Sequence, residues 1–431
     1  MFDFGKDLQR WVASGGRAGV RDARLLELLG PDLLAQQAHA ETGGAERSNR
    51  PVEGWRDVCR LWLEHARRTG SAASLDAAER ASERCLALAE DGSGRATGLL
   101  ARARVAMTRH ELFAGPDTLV CAELAVDGAG AERSAPEMLA QIAGIHARLA
   151  ARRAQASGTG EAIRSAAALL DSALHDLEVQ AGQRRPRDPW ITVDLTETRL
   201  ERAALGALAG VRHRDPRLLD QAGRDLRLLA ERTDGDFAPL TRARALAACG
   251  AGLAVLGEMA ERADAVRQAV ELLDAAADLF PADHSPLDHA AILAARGSAQ
   301  LRLSRMSEDE AVAEAAAEAI DQAWRLTTGR RLKLGAEIAA LNTRARIDRA
   351  EHEGDLIALS TLEARARARL AEGGAEHDPL GWAVDQLALA EVYEALERLG
   401  ASPSRAFHAA TARAGAAEVF EEEGMAGLAR A

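Results

Sequence analysis

Lysine is nearly missing from this sequence of 431 residues: it stands at positions 6 and 333 alone, and every other cation is arginine. A Schiff-base or general-base lysine is therefore almost excluded. Tyrosine occurs once, with 7 phenylalanines and 6 tryptophans, which argues against stacking platforms for single-stranded nucleic acid. The four cysteines, Cys59, Cys85, Cys121 and Cys249, never form C-x-x-C, so neither a zinc ribbon nor a redox pair is expected, and the thiols read as buried on helix faces. Long hydrophobic runs are also missing. In the most apolar stretch, Leu246 to Met259, the uncharged run is bounded by Arg244 and Glu258 and is shorter than the roughly 20 residues needed to cross a bilayer, so no membrane span is expected. The opening "MFDFGKDLQRWV" carries charges and lacks an apolar h-region, so a cytoplasmic location is expected.

The motifs of several chemistries are absent as well. There is no G-x-x-x-x-G-K-[ST], no strand followed by G-x-G-x-x-G, no G-x-S-x-G and no H-E-x-x-H. Asp283, His284, Asp288 and His289 form the densest cluster of metal-type side chains, but the two histidines are five apart across a helix cap and share no face. No metal, no cofactor and no catalytic residue are expected; the chain reads as a non-enzyme.

What is present is alanine and leucine in abundance, with few β-branched residues, which are the preferences of helices. The formal charge of -12 repels phosphate backbones and anionic lipid, so nucleic acid is not an expected partner. Prolines sit at helix edges, each behind a capping side chain, in "DPRLL" at Asp215, "SPLDHA" at Ser285, "DPLGWA" at Asp378 and "SPSRAF" at Ser402. Between them lie paired Leu/Ala patterns of helical period.

Self-similarity at a fixed offset orders these pairs. "LAACGAGLAVL" at Leu246 aligns with "LAARGSAQLRL" at Leu293, which places Gly250 and Gly297 about 47 residues apart. The second helices then match without adjustment, pairing Leu273 with Ile320, Asp274 with Asp321 and Ala276 with Ala323. Carried onward the small pivot meets Thr343 and Ala390, and carried back it meets Ala203. A small pivot lets two helices approach closely. The reading is an all-α protein: a right-handed α-solenoid of about eight antiparallel helical hairpins with a repeat of about 47 residues. Residues 1–50 form an N-terminal helical arm and tether, 51–180 irregular hairpins, and 189–431 regular hairpins continuous with them; Ala181 to Pro189 is expected to be an exposed loop.

In this array the last unit, "LALAEVYEALERLGASPSRAF", resembles the tetratricopeptide-repeat-like (TPR-like) family, with Leu389, Ala390 and Tyr393 at the spacing of its L-G-x-x-Y and a loop glycine at Gly400. The standard unit of that family has about 34 residues, so these helices are lengthened, and the period also touches the HEAT and armadillo range. The resemblance implies a concave groove lined by first helices, with Arg244, Ala247, Ala251 and Ala254 in one unit, Ala291, Ala294, Ser298 and Leu301 in the next, and Glu337, Arg344, Glu391 and Glu394 toward the C-terminal end. The family's Lys/Asn carboxylate clamp is absent. The groove residues are mostly small and apolar, which suits a partner helix or an extended apolar segment, or closure by the chain's own N-terminal arm.

Two function classes follow: a protein-protein interaction scaffold without catalysis, or a ligand-sensing regulatory module whose solenoid changes curvature on binding a small molecule or peptide. A protein or peptide partner is expected in the first, and whether two copies form a homodimer is open. Trp55, Trp62, Trp324 and Trp382 read as gap fillers within helices. Arg365, Arg367 and Arg369 in "EARARARL" read as a solvated face. Phe2, Phe4, Leu8 and Trp11 form one face of an N-terminal helix that reads as packing on the solenoid itself.

Overall fold

Helix-forming residues cut by proline and glycine give helices of limited length that cannot bury their apolar stripe alone and must pair. The computed structural model describes residues 23–115, 117–157, 159–182, 188, 190–328, 331–372, 378–400 and 405–422. Among the described residues there are seventeen α-helices and no strand. A 3-10 turn over Ala23–Leu28 precedes α1 (Pro31–Ala45), α2 (Pro51–Thr69), α3 (Ala72–Ala87), α4 (Gly92–Phe113), α5 (Thr118–Gly130) and α6 (Pro136–Ser157). Then come α7 (Gly160–Ala181), α8 (Ile191–His213), α9 (Pro216–Arg232), α10 (Pro239–Met259), α11 (Ala263–Ala277) and α12 (Pro286–Ser307). The chain continues through α13 (Glu310–Thr327), α14 (Lys333–His352), α15 (Leu356–Glu372), α16 (Pro379–Arg398) and α17 (Arg405–Glu422). The expected helix over Phe2 to Trp11 and the Ser402 cap lie outside the described residues.

The start signals act as written in the sequence. Proline opens α9, α10, α12 and α16. The Asp215 carboxylate accepts from the backbone N–H of Arg217 and Leu218, and that of Asp378 accepts from Gly381, each satisfying orphan donors of a first turn. Ser285 departs from the pattern: it stands at the N-cap of α12, but its hydroxyl donates to Asp288 Oδ2 at 2.6 Å instead of accepting from the backbone.

Each helix packs on its neighbour in sequence, and the even-numbered helices also pack on one another in serial order, α2 on α4, α4 on α6, and so on to α14 on α16. Burial follows that order, as a string of local clusters rather than one large core. The tightest approaches need glycine. A Cβ on Gly250 would lie 2.8 Å from Leu273 Cγ and 3.0 Å from the Ala269 carbonyl oxygen; on Gly297 it would lie 2.5 Å from Ile320 Cγ1 and 3.0 Å from that of Ala316. The pivots and partners are those aligned in the sequence. In α14 the pivot carries Thr343, and α14 packs on α15 less closely than the other first helices pack on theirs.

The array curls back on itself: α12 touches α2, and α14 touches α4. Leu287 and Leu332 join the cluster built from α1, α2 and α3, both against the left-handed Gly70 that ends α2. This closure encloses the inner faces of α2, α4, α6, α8 and α10. The last of these contains Leu246 to Met259. It meets the length and composition of a membrane-crossing helix, at a mean hydropathy of 1.2, but half of that window is buried among neighbouring helices.

Candidate functional site: a charged axial chamber

The five enclosed helices turn polar stripes inward. On α2, Arg60, Glu64 and Arg67 recur at i, i+4 and i+7; on α4, Arg104, Thr108 and Glu111 do the same, followed by Arg148, Arg152 and Gln155 on α6 and Glu197, Glu201 and Ala204 on α8. Thr241, Arg244 and Ala248 complete the ring from α10. These spacings put each set on one helix face. Together the stripes line a half-open cavity of about 340 Å³, walled also by Leu26 of the 3-10 turn and by Trp190.

The cavity wall is held by ion pairs between helices. Arg148 Nη1 lies 2.5 Å from Glu197 Oε2, and Arg152 Nη2 reaches Glu201 at 2.9 Å and Glu111 at 2.7 Å, tying α6 to both α8 and α4. Behind this ladder Asp194 is 3% exposed. Arg60 meets both its oxygens at 3.0 Å and Arg104 donates at 2.8 Å. The Arg60 guanidinium also lies 4.8 Å over the Trp190 ring. Burial alone would raise the Asp194 carboxyl, but Arg104 and Arg60 outweigh it and hold it below the ordinary carboxylate range. Glu64, Glu111 and Glu197 are likewise held low by arginine against the effect of burial. Arg104 is pushed down to about 10, first by burial and then by Arg60 beside it. Such a network adds little net stability over an apolar core, but removing one partner strands a buried charge.

A strap crosses one end. Glu27 accepts from the Thr241 backbone N–H at 2.8 Å and from its hydroxyl, at the amino end of α10 where a negative charge is favoured. Arg68 of α2, fully buried, donates to the carbonyls of Leu29 at 2.6 Å and Leu26 at 2.8 Å. His284 Nε2 lies 2.7 Å from the Glu27 carbonyl.

The residues expected to form a groove fall in several environments. Arg244 is in the chamber wall, paired with Asp288 of α12 at 2.8 Å. Ala247 and Ala294 are half-buried against apolar clusters, Ala251 is half-buried, and Ala254 is enclosed. Ser298 Oγ accepts from Arg302 at 2.7 Å, and Leu301 is half-buried while Ala291 is exposed. The structure joins Arg344 to Glu391 at 2.5 Å, and Glu394 to Arg413 at 2.8 Å. Burial raises the Glu337 carboxyl, and Lys333 opposes it.

Elsewhere Cys59, Cys85 and Cys249 are buried and Cys121 is exposed; burial pushes the first two thiols up to about 12. Asp288 pairs with Arg244, and among the described residues no group of three or more His, Cys, Asp or Glu side chains is placed to hold a metal ion. Of the segment Ala181 to Pro189, residues 183–187 and 189 lie outside the described residues. Asp188 is not simply exposed, since it accepts from Arg56 at 3.1 Å and Gln141 at 2.9 Å.

The chain matches no family model, and no curated protein matches it. Among solved structures it is similar to a "circular tandem repeat protein with novel repeat topology and enhanced subunit contact surfaces", at 18% identity over 95% of this chain and 98% of that one, with a TM-score of 0.29. At that score the architecture rests on this chain's own helices. The chain is an all-helical protein of helices packed in consecutive pairs, built as a helical-repeat solenoid is built.

Proposed function

We propose that this chain is a non-catalytic, cytoplasmic protein-protein interaction scaffold or adaptor that holds a short extended segment of a partner protein in its axial chamber. In this reading the array is a right-handed TPR-like solenoid of about eight hairpins with a unit of about 47 residues. Helix starts support that period: α10, α12 and α14 begin at Pro239, Pro286 and Lys333. So do the ion pairs Arg344–Glu391 and Arg398–Glu351, which each join residues 47 apart.

The observation that carries the reading is the convergence of five charged helix faces on one half-open cavity of about 340 Å³. Concave inner surfaces are where solenoids receive partners. A helix is about 10 Å across, so a space of this size favours an extended segment. Its side chains meet guanidinium and carboxylate groups in alternation, so the segment carries charge of both signs, in place of the apolar groove suggested by Ala247, Ala251 and Ala254. Among the described residues the wall has neither histidine nor cysteine, and its carboxylates are engaged by arginine. That is the chemistry of recognition rather than of proton transfer.

One observation favours a ligand-sensing module as the second reading: Leu26, carried by the strap, forms part of the cavity wall, so occupancy and strap position are linked. The test inverts the ladder while preserving its pairs, with Glu111→Arg, Arg148→Glu, Arg152→Glu, Glu197→Arg and Glu201→Arg combined in the full chain. Capture from a lysate of the source organism should give a partner with the parent and lose it with the inverted chain at unchanged circular dichroism. Retention of the same partner by both would overturn the reading, and loss of a small metabolite instead would favour the sensor.

A further inference from the structure

A second concavity lies far along the array. Because α14 packs loosely on α15, a groove opens beside them over α16 of the next pair, whose Val384, Ala388 and Val392 form a close-packed floor no more than 5% exposed. The groove measures about 490 Å³, and Trp324 of α13 stands at its edge, 42% exposed. A gap-filling tryptophan would be buried; this one offers an apolar face to the groove.

The rim is basic. Arg331, Arg346, Arg365 and Arg369 line it against Asp378 and Asp385. Arg346 is paired with Asp321 at 3.1 Å, and Arg369 donates to Asp385 at 2.7 Å. Asp378 caps α16 through Gly381. That leaves Arg331 and Arg365, both exposed, with no ion pair among the described residues. The arginines of "EARARARL" therefore divide: Arg367 donates to Tyr393 on α16, whereas Arg365 and Arg369 face the groove. On a chain of net charge -12, a groove with two unpaired cations over an apolar floor is a local reversal of sign.

We propose that this groove docks an acidic, amphipathic segment of a partner protein. Its carboxylates pair with Arg331 and Arg365, and an apolar side chain lies against Trp324 and the α16 floor. Charge complementarity selects this occupant. A nucleic acid would bring phosphates past Asp378 and Asp385 with a single tryptophan to stack on, and the whole chain repels it. The site is separate from the axial chamber, so the two proposals stand or fall independently.

The test uses the full chain and an array of short labelled peptides in which Asp and Glu alternate with Leu and Phe, with amide counterparts (Asn, Gln) and a single-stranded oligothymidylate of matched charge. Binding is read by anisotropy and by quenching of tryptophan emission. Acidic peptides should bind at least about tenfold tighter than their amide counterparts, weaken as salt rises, and lose about tenfold in Arg331→Glu/Arg365→Glu. Trp324→Ala should remove the quenching, while the inverted chamber ladder should leave affinity unchanged. Equal affinity for the amide peptides, indifference to the double reversal, stronger binding of the oligothymidylate, or no acidic peptide bound at all would each overturn it. Both arginines and the tryptophan are surface residues, so circular dichroism of the variants should match the parent.

Discussion

The Glu27 carboxylate accepts from the backbone N–H of Thr241 at 2.8 Å, so a turn ahead of the first helix completes the amino end of the tenth. It does for α10 what Asp215 does locally for α9. Glu27→Ala should leave that N–H unsatisfied and cost about 1 kcal/mol, the usual value of a lost N-cap. Urea denaturation measures the loss, and hydrogen exchange at the Thr241 amide should quicken. An unchanged exchange rate would show that the strap does not hold α10 in solution.

Asp194 joins three helices through Arg60 and Arg104. Asp194→Asn leaves two guanidinium groups crowded in a buried site and should destabilise by about 3–5 kcal/mol. Replacing all three together, Arg60→Met, Arg104→Met and Asp194→Leu, should restore most of that stability, since an apolar trio of similar volume needs no desolvated charge. A triple variant as unstable as the single one would contradict this.

Gly297 has no room for a side chain, because a Cβ would meet Ile320 and the Ala316 carbonyl. Gly297→Val should cost about 1–3 kcal/mol through overpacking. Adding Ile320→Ala should recover part of it by removing the clashing atoms, a coupling that a double-mutant cycle of denaturation midpoints would reveal.

Stability should fall on acidification in two stages. Burial, aided by Lys333, lowers the His110 imidazole from 6.5 to about 4, so between those values the unfolded chain binds a proton that the native one does not, and stability is lost as pH drops. His284 and His289 are shifted the same way by burial. Below the ordinary carboxylate values, Asp194, Glu111 and Glu197 continue the loss, since their folded pKa values are lowered and their contribution is present only above them. Denaturant midpoints against pH should show the decline, and His110→Gln should flatten its upper stage. An unaltered slope in that variant would refute the assignment.

Pairing was legible in the sequence because it depends on apolar period, proline and small pivots: Gly250 meets Leu273 and Gly297 meets Ile320, as the alignment of the two units requires. The chamber was not. Charges at i, i+4 and i+7 on one helix read as a solvated face; only the convergence of four such faces, closed by Arg244 of α10, makes them an interior, and convergence is a property of the array. One signal was available, since Arg148 and Arg152 are answered 49 residues later by Glu197 and Glu201, about one unit on and opposite in sign. Trp324 reads as a gap filler in the sequence for a related reason: the loose packing of α14 on α15, which leaves a groove beside it, is a property of neighbouring helices that no motif on α13 marks.

The most direct test of the account places a photo-crosslinking amino acid at Thr196, in the chamber wall, and a second on the outer helix α9 at Leu228. Irradiation with the partner bound should yield a covalent adduct from Thr196, mapping to a short extended segment, and none from Leu228. Adducts from Leu228 alone would place the partner on the outer surface and contradict the account.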